Sequence, residues 1–259
     1  MNFAKLLRGL APIAAVALAA GLAGCKDMNI SIGDSEGVPL AELDMSGDPP
    51  TELVLAAPDS VVLTDGDTLT IDVEGDRDAV DVMRFTLEDG TLGILRENDS
   101  DVDGRATVRV TMPSPRAIVI AGSGGVAAQS MAEEASVTIA GTGRLDVASV
   151  RADKLDVNVM GSGTFGAAGS AKSLDLTVAG SGSMEAAGLK VDGADISIMG
   201  SGDAEFASDG KVEASVMGSG NVTITGNATC TVNSMGSGTV TCRATAPAAD
   251  DEETGDSES

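Results

Sequence analysis

The sequence contains no histidine, no tryptophan and no tyrosine, and only four phenylalanines among its 259 residues. Without histidine, the chain cannot use an imidazole as a general base or as a metal ligand. Without tyrosine and tryptophan, it lacks the aromatic platforms on which proteins often stack sugars or nucleobases. These absences exclude the Ser-His-Asp and Cys-His classes of catalytic site, and we predict a protein that is not an enzyme and has no cofactor.

Basic residues are also scarce. Sixteen lysines and arginines stand against 40 acidic residues, which gives a net charge of −24. This sign excludes nucleic acid as a partner, because binding to phosphates requires a basic surface. Apolar residues make up 42% of the chain, so most of it can fold around a core.

The N-terminus has the pattern of an export signal. Lys5 and Arg8 precede an apolar run of small residues, and we predict a signal peptide over residues 1–24. The "LAGC" ending resembles the bacterial lipobox, which implies that Cys25 becomes lipidated and anchors the protein to the membrane. Lys26 follows where a retention signal would have Asp, which favours the outer membrane. The alternative is an ordinary signal peptide followed by a chance cysteine.

A polar tether is predicted over residues 25–37. From residue 38 to residue 110, alternating apolar runs are separated by turn dipeptides such as Asp65-Gly66. This segment predicts short strands, either as irregular coils or as a small sheet that caps the N-terminal end of the domain.

A G-[ST]-G motif recurs seven times at steps of 18–20 residues. Its first glycines are Gly122, Gly141, Gly161, Gly180, Gly200, Gly218 and Gly236. In every copy the residues four and two before that glycine, and four and six after it, are apolar, with Ser234 as the one exception. Because most residues between them are polar, each copy predicts two strands joined at a glycine turn.

A unit of this size buries an apolar face only by stacking on its neighbours. We therefore predict an all-β fold, a right-handed parallel β-helix with about seven coils, within a domain that covers residues 38–245. A Greek-key sandwich is the alternative, but it would not require seven nearly identical corners.

Cys230 and Cys242 lie six residues before and six residues after the last corner. They share the parity of the inward positions, so a disulfide could close the final coil in an oxidising compartment. Two buried thiols are the alternative. The acidic segment 246–259 lacks large apolar residues and is predicted to be disordered.

The residues just before the seven corners are all methionine or alanine, and we predict that they form one outward-facing stripe. Its methionines are Met160, Met199, Met217 and Met235. Solenoids use continuous faces of this kind for partners, and methionine adapts to many shapes. The stripe could bind an envelope protein or a cell-surface ligand, or it could pack beneath a neighbouring segment.

Acidic residues form two candidate metal sites. Asp156, Asp175, Asp195 and Glu213 all lie five residues before a corner, and stacking would align them in one outward row without a recurring basic residue beside it. Asp99, Asp101 and Asp103 match the first half of a calcium loop, but the position of its bidentate glutamate holds Val110. A solvated acidic surface is the favoured interpretation of both, and we predict no metal site.

Several short stretches resemble the bacterial GIN-domain family of auto-transporter adhesin heads. They are "VEGD" at Val73–Asp76, "DGTLGI" at Asp89–Ile94 and "IAGSG" at Ile120–Gly124, and the resemblance covers residues 38–245. It implies an exported β-helix of the cell envelope, and it carries no catalytic residues to this chain.

These observations favour an outer-membrane lipoprotein that displays a β-helix for adhesion or binding at the envelope. Two alternatives stay open. One is a scaffold that faces the periplasm and binds an envelope protein through the methionine stripe. The other is a calcium-dependent, polysaccharide-active β-helix, since pectin-degrading enzymes also use this fold.

Overall fold

The computed structural model describes residues 37–97, 100 and 102–243. This part of the chain consists almost entirely of strands. The strands are β1 (Glu52–Ala56), β2 (Ser60–Asp65), β3 (Thr70–Gly75), β4 (Met83–Glu88), β5 (Thr91–Arg96), β6 (Ala106–Met112), β7 (Ala117–Gly122), β8 (Gly125–Ser130), β9 (Glu134–Gly141), β10 (Arg144–Gly161), β11 (Thr164–Gly180), β12 (Ser183–Gly200), β13 (Asp203–Gly218), β14 (Asn221–Thr225), β15 (Thr229–Gly236) and β16 (Thr239–Arg243). A 3-10 turn (Leu40–Glu42) and one short helix, α1 (Arg77–Asp81), complete it.

The repeat strands stack in parallel, each paired with the coil before it and the coil after it. Strand β10 pairs with β11, β11 with β12 and β12 with β13, each over most of its length. This arrangement confirms the predicted β-solenoid of about seven turns. It is not a Greek-key sandwich, because the strands of a sandwich pair antiparallel.

The glycine corners lie directly above one another. Gly161 pairs with Gly180, and Gly180 with Gly200. From the second corner on, the amide after each corner glycine donates to the glycine carbonyl one coil below, as Ser201 N does to Gly180 O at 2.8 Å. Gly200 has a φ of +131°, and a β carbon there would overlap the Gly180 carbonyl. Glycine at this position therefore permits both the corner and the close stacking.

The interior of the solenoid is filled by the apolar positions of the repeat. Val159, Ile198 and Val216 are fully buried, as are the rings of Phe165 and Phe206. The predicted inward parity is thus confirmed for the first six copies, in which Ala167 alone is half-buried. Buried side chains run as one continuous core from the N-terminal strands through β14.

The N-terminal strands add two further coils in an order that differs from the sequence. Strands β1 and β2 pair in parallel with β7 and β8, and on their other side they pair with β5 and β6. Strands β3 and β4 then pair antiparallel with β6 and β5 at the end of the solenoid. The segment therefore contains both predicted features, additional coils and a cap.

The last coil departs from the predicted burial. Val232 is 44% exposed, Val240 is half-buried and Cys242 is exposed. These three residues pair in register with inward-facing residues of the coil below. The prediction that they are buried is wrong, because no further coil of the described chain lies above them.

Candidate functional site

The methionines before the corners form one exposed column along the solenoid. Met199 pairs in register with Met217, and Met217 with Met235, so the three lie on consecutive coils. Met160 lies on the same line, separated from Met199 by the half-buried Ala179. We call these four methionines the methionine column.

Each methionine of the column is substantially exposed. The exposed fraction is 43% at Met160, 42% at Met199, 45% at Met217 and 74% at Met235. The residue before each of the first three is fully buried, so the strand alternation directs the thioether outward. The predicted outward direction is confirmed for the methionines, whereas Ala121, at the start of the stripe, is buried.

The acidic row also lies in register on an outward face. Asp156 pairs with Asp175, Asp175 with Asp195, and Asp195 with Glu213. A parallel row of Thr177, Ser197 and Ser215 lies two residues further along. This row and the acidic row without Asp156 line a groove of about 350 Å³.

The expectation that no basic residue recurs beside the acidic row is wrong, because two lysines lie beside it. Lys154 Nζ lies 3.0 Å from Asp156 Oδ2 and 3.3 Å from Asp175 Oδ2, and these contacts raise the pKa of Lys154. Lys211 approaches Glu213 at 3.7 Å. In the part of the chain that the structure describes, no group of three or more acidic or cysteine side chains is placed to hold a metal ion.

Part of the loop that matches the first half of a calcium loop is occupied by an arginine. Asp99 and Asp101 lie outside the described residues, so the favoured interpretation of this loop as a solvated acidic surface stays a prediction. Within the described part, Arg96 donates to the carbonyl oxygens of Val102 at 2.7 Å and Gly104 at 2.6 Å. The guanidinium thus engages two backbone oxygens of the kind that a cation would need.

The predicted disulfide between Cys230 and Cys242 is present. It joins strands β15 and β16 across the last corner, with the two Cα atoms 6.8 Å apart. Both cysteines occupy inward positions of the last coil that the structure describes, so the bond lies at the C-terminal end of the described solenoid.

Cys25, the predicted site of lipidation, lies outside the described residues, as does the acidic segment 246–259. Among the described residues, no helix is long and apolar enough to cross a membrane. Lipidation of Cys25 therefore stays a prediction.

One polar cluster was missed by the sequence analysis. Asp65, interpreted above only as part of a turn, lines a cavity of about 580 Å³ together with Ser114, Ser130, Ser149 and Arg151. Ser130 and Ser149 lie in the same place on successive coils. The available signal was that both serines lie eight residues after a corner glycine. Only folding of the non-repeat segment brings Asp65 and Ser114 beside them.

The chain resembles solved structures of bacterial proteins. A protein from Bacteroides fragilis described as a "putative adhesin" is 22% identical, with a TM-score of 0.68, covering 75% of this chain and 92% of the other. A "putative lipid binding protein" from Parabacteroides distasonis is 18% identical, with a TM-score of 0.58, covering 75% and 93%. A "putative adhesin" from the same organism is 21% identical, with a TM-score of 0.55, covering 76% and 94%.

At these identities, the solved structures establish the shared fold alone. No curated protein matches the chain. The family described as "Putative auto-transporter adhesin, head GIN domain" matches residues 49–228, which is more than half of the sequence. The chain therefore belongs to the GIN-domain family.

Proposed function

We propose that this protein is a lipid-anchored binding module of the bacterial cell envelope, which acts as an adhesin through the methionine column. The observation that carries the proposal is the in-register exposure of Met199, Met217 and Met235 on three consecutive coils. Exposed apolar side chains scattered singly need no explanation, but an aligned row of them is typical of an interaction surface.

The physical basis of the proposal is that flexible side chains are held on a rigid backbone. The backbone beneath the column is held by continuous parallel pairing and by the stacked glycine corners. The methionine side chains are flexible and polarisable, so they can adapt to a partner while the backbone stays fixed. Burying them would release water from apolar surface at little cost in backbone ordering.

The location in the envelope is supported by the predicted signal peptide and lipobox, and by the family description, which names an auto-transporter adhesin head. Relatives of similar fold carry the descriptions adhesin and lipid-binding protein. Under this proposal Cys25 anchors the chain at the outer membrane, and the solenoid meets an envelope protein or a cell-surface ligand.

Protease shaving of intact cells tests the location. We expect the solenoid to be digested at the surface of intact cells while a periplasmic control protein survives. A Cys25→Ala variant, which cannot be lipidated, should be released from the membrane fraction. Survival of the protein until the cells are opened would contradict surface display and favour the scaffold that faces the periplasm.

Substitutions that introduce positive charge test the methionine column. A Met199→Lys, Met217→Lys double variant should lose adhesion to host or neighbouring bacterial cells, because two ammonium groups would have to be desolvated in the interface. The matched control is Ser197→Lys, Ser215→Lys, which adds the same charges to the same coils two residues away. Equal adhesion of the two double variants would show that the column is not the binding surface.

The acidic groove favours one second candidate function, a calcium-dependent, polysaccharide-active protein. Asp175, Asp195 and Glu213 line this groove in consecutive coils. Such a protein should gain thermal stability on calcium titration and should retain acidic polysaccharide on a column only when calcium is present. Failure of both effects would eliminate this candidate without affecting the adhesin proposal.

A further inference from the structure

The polar cavity beside Asp65 lies far from the methionine column along each coil. Strand β8 begins just after a glycine corner and β2 pairs with it in register, and the cavity lies where the two strands end, at Asp65 and Ser130. Ser149 continues the line on the next coil. Ser114, just after β6, closes the cluster from the other side.

The hydrogen bonds in this cluster have a fixed direction. Ser130 Oγ donates to Asp65 Oδ2 at 2.7 Å, and the hydroxyl oxygens of Ser114 and Ser130 lie 2.8 Å apart. A serine hydroxyl has one hydrogen, and Ser130 uses it on the carboxylate, so Ser114 must donate to Ser130. Both hydrogens are therefore used within the cluster, and the two hydroxyls offer only acceptor lone pairs to the cavity.

The second oxygen of the carboxylate adds another unused acceptor. Asp65 Oδ1 is buried, and no described residue donates a hydrogen bond to it. A buried carboxylate oxygen without a donor is costly, and native structures leave few such atoms.

We propose that this cavity binds a primary ammonium group. An ammonium carries three N–H donors on one small cation, which matches the free acceptors of Asp65, Ser114 and Ser130. Two of the three charged residues that line the cavity, Asp65 and Glu133, are acidic, while Arg151 is basic. The net charge of −24 also attracts cations to the protein surface. This binding site is independent of adhesion through the methionine column.

Two other ligand classes match the cavity less well. A neutral sugar brings no positive charge to the Asp65 carboxylate, so it would lack the charge-assisted hydrogen bonds that an ammonium makes there. The cavity also has no aromatic residue for a sugar ring to stack on. A quaternary ammonium has the charge but no N–H, so it would leave all the acceptors unpaired.

Calorimetry on the purified full-length protein tests the proposal with matched probes. Ethanolamine and choline share their charge and their hydroxyl group, but choline has no N–H. We expect ethanolamine to bind at least about tenfold more tightly than choline, in line with hydrogen bonds to a charged group. Equal affinities for ethanolamine and choline, or binding of glucose in place of ethanolamine, would overturn the proposal.

Variants assign the binding to this cavity. Asp65→Asn keeps the shape but replaces an acceptor with a donor, and it should abolish ethanolamine binding. Asp67→Asn, an exposed acid two residues away, should leave the affinity unchanged. Thermal unfolding shows whether Asp65→Asn is folded. If it is not, Ser130→Ala still tests the site, because this variant keeps the carboxylate and should weaken ethanolamine binding. Full affinity in both cavity variants would contradict the site.

The ammonium could belong to a free amine or to a lipid headgroup. Vesicles of phosphatidylethanolamine and of phosphatidylcholine distinguish the two sources. Binding of free ethanolamine without any preference between the vesicles would identify a small amine, and a preference for phosphatidylethanolamine vesicles would identify the headgroup. Both results support an ammonium site, and the absence of both interactions overturns it.

Discussion

Arg96 and Asp59 form a two-pronged ion pair inside the N-terminal coils. Arg96 Nη2 lies 2.6 Å from Asp59 Oδ1, and Nε lies 2.8 Å from Oδ2. Asp59 is fully buried, and its carboxylate also accepts the backbone N–H of Ala106 at 2.8 Å. One carboxylate thus connects the turn before β2, the end of β5 and the start of β6.

Removing this carboxylate should destabilise the protein strongly. In Asp59→Asn the buried guanidinium of Arg96 loses its counter-ion, which typically costs about 3–5 kcal/mol. Arg109→Gln is the matched control, because the side chains of Arg109 and its ion-pair partner Glu74 are both more than half exposed. We expect this substitution to lower the free energy of unfolding by less than about 1 kcal/mol. Urea unfolding measures both values. Equal losses would show that the Arg96–Asp59 pair contributes no more than a surface pair.

The glycine corners provide a second matched comparison. Gly122→Ala and Gly200→Ala both force alanine into a positive φ, at a cost of about 1–3 kcal/mol. Only at Gly200 would the new β carbon also overlap a carbonyl of the coil below, since nothing lies within 4 Å at Gly122. Gly200→Ala should therefore show the lower thermal midpoint. A larger effect at Gly122 would contradict the stacked-corner explanation.

The disulfide should protect the last coil and little else. Cys230 and Cys242 are separated by 12 residues, and closing a loop of this size typically stabilises by about 2–4 kcal/mol. In a Cys230→Ser, Cys242→Ser variant, hydrogen exchange should accelerate in β15 and β16 and stay unchanged in β12. Uniform acceleration along the chain would mean that the coils unfold as one unit.

Asp209 gives the turn between β14 and β15 a dependence on pH. Its Oδ1 accepts the N–H of Asn227 at 2.9 Å and its Oδ2 lies 2.6 Å from Lys190 Nζ, which together hold the pKa of Asp209 below its ordinary 3.8. A carboxylate with a lowered folded pKa stabilises the fold above the unfolded value, and that contribution is lost as the pH falls below 3.8.

Asp209→Asn should therefore lower the thermal midpoint at about pH 6, and the difference from the natural protein should vanish at about pH 2. Asp195→Asn, on the open acidic row, serves as the control. A difference for Asp209→Asn that persists unchanged at acid pH would show that the carboxylate charge is not responsible.

The sequence predicted the repeating part of the fold well, because each coil repeats the same local rule. The glycine at each corner and the parity of residues such as Val159 and Phe206 follow from spacing alone. The exposure of Val232 could not be predicted in this way, since parity gives the direction of a side chain but not whether another coil covers it.

The non-repeating half could be predicted only as strands. Nothing in the spacing of its apolar runs indicates that β5 and β6 stack outside β1 and β2, with β7 and β8 on the opposite side. The Asp65 cavity and the Arg96–Asp59 pair depend on this crossover, because both join residues far apart in the chain. Sequence analysis accordingly found the methionine column, which lies within the repeat, and missed both clusters.

Because the corners stack, the number of coils in the solenoid can change without changing the shape of any one coil. Each coil of 18–20 residues adds one strand spacing, about 4.8 Å, and contacts only its two neighbours. Duplication or loss of a coil within the gene would therefore lengthen or shorten the reach between the two ends and leave every other layer as it was. Evolution can adjust the distance between the two ends of the solenoid in small, nearly uniform steps.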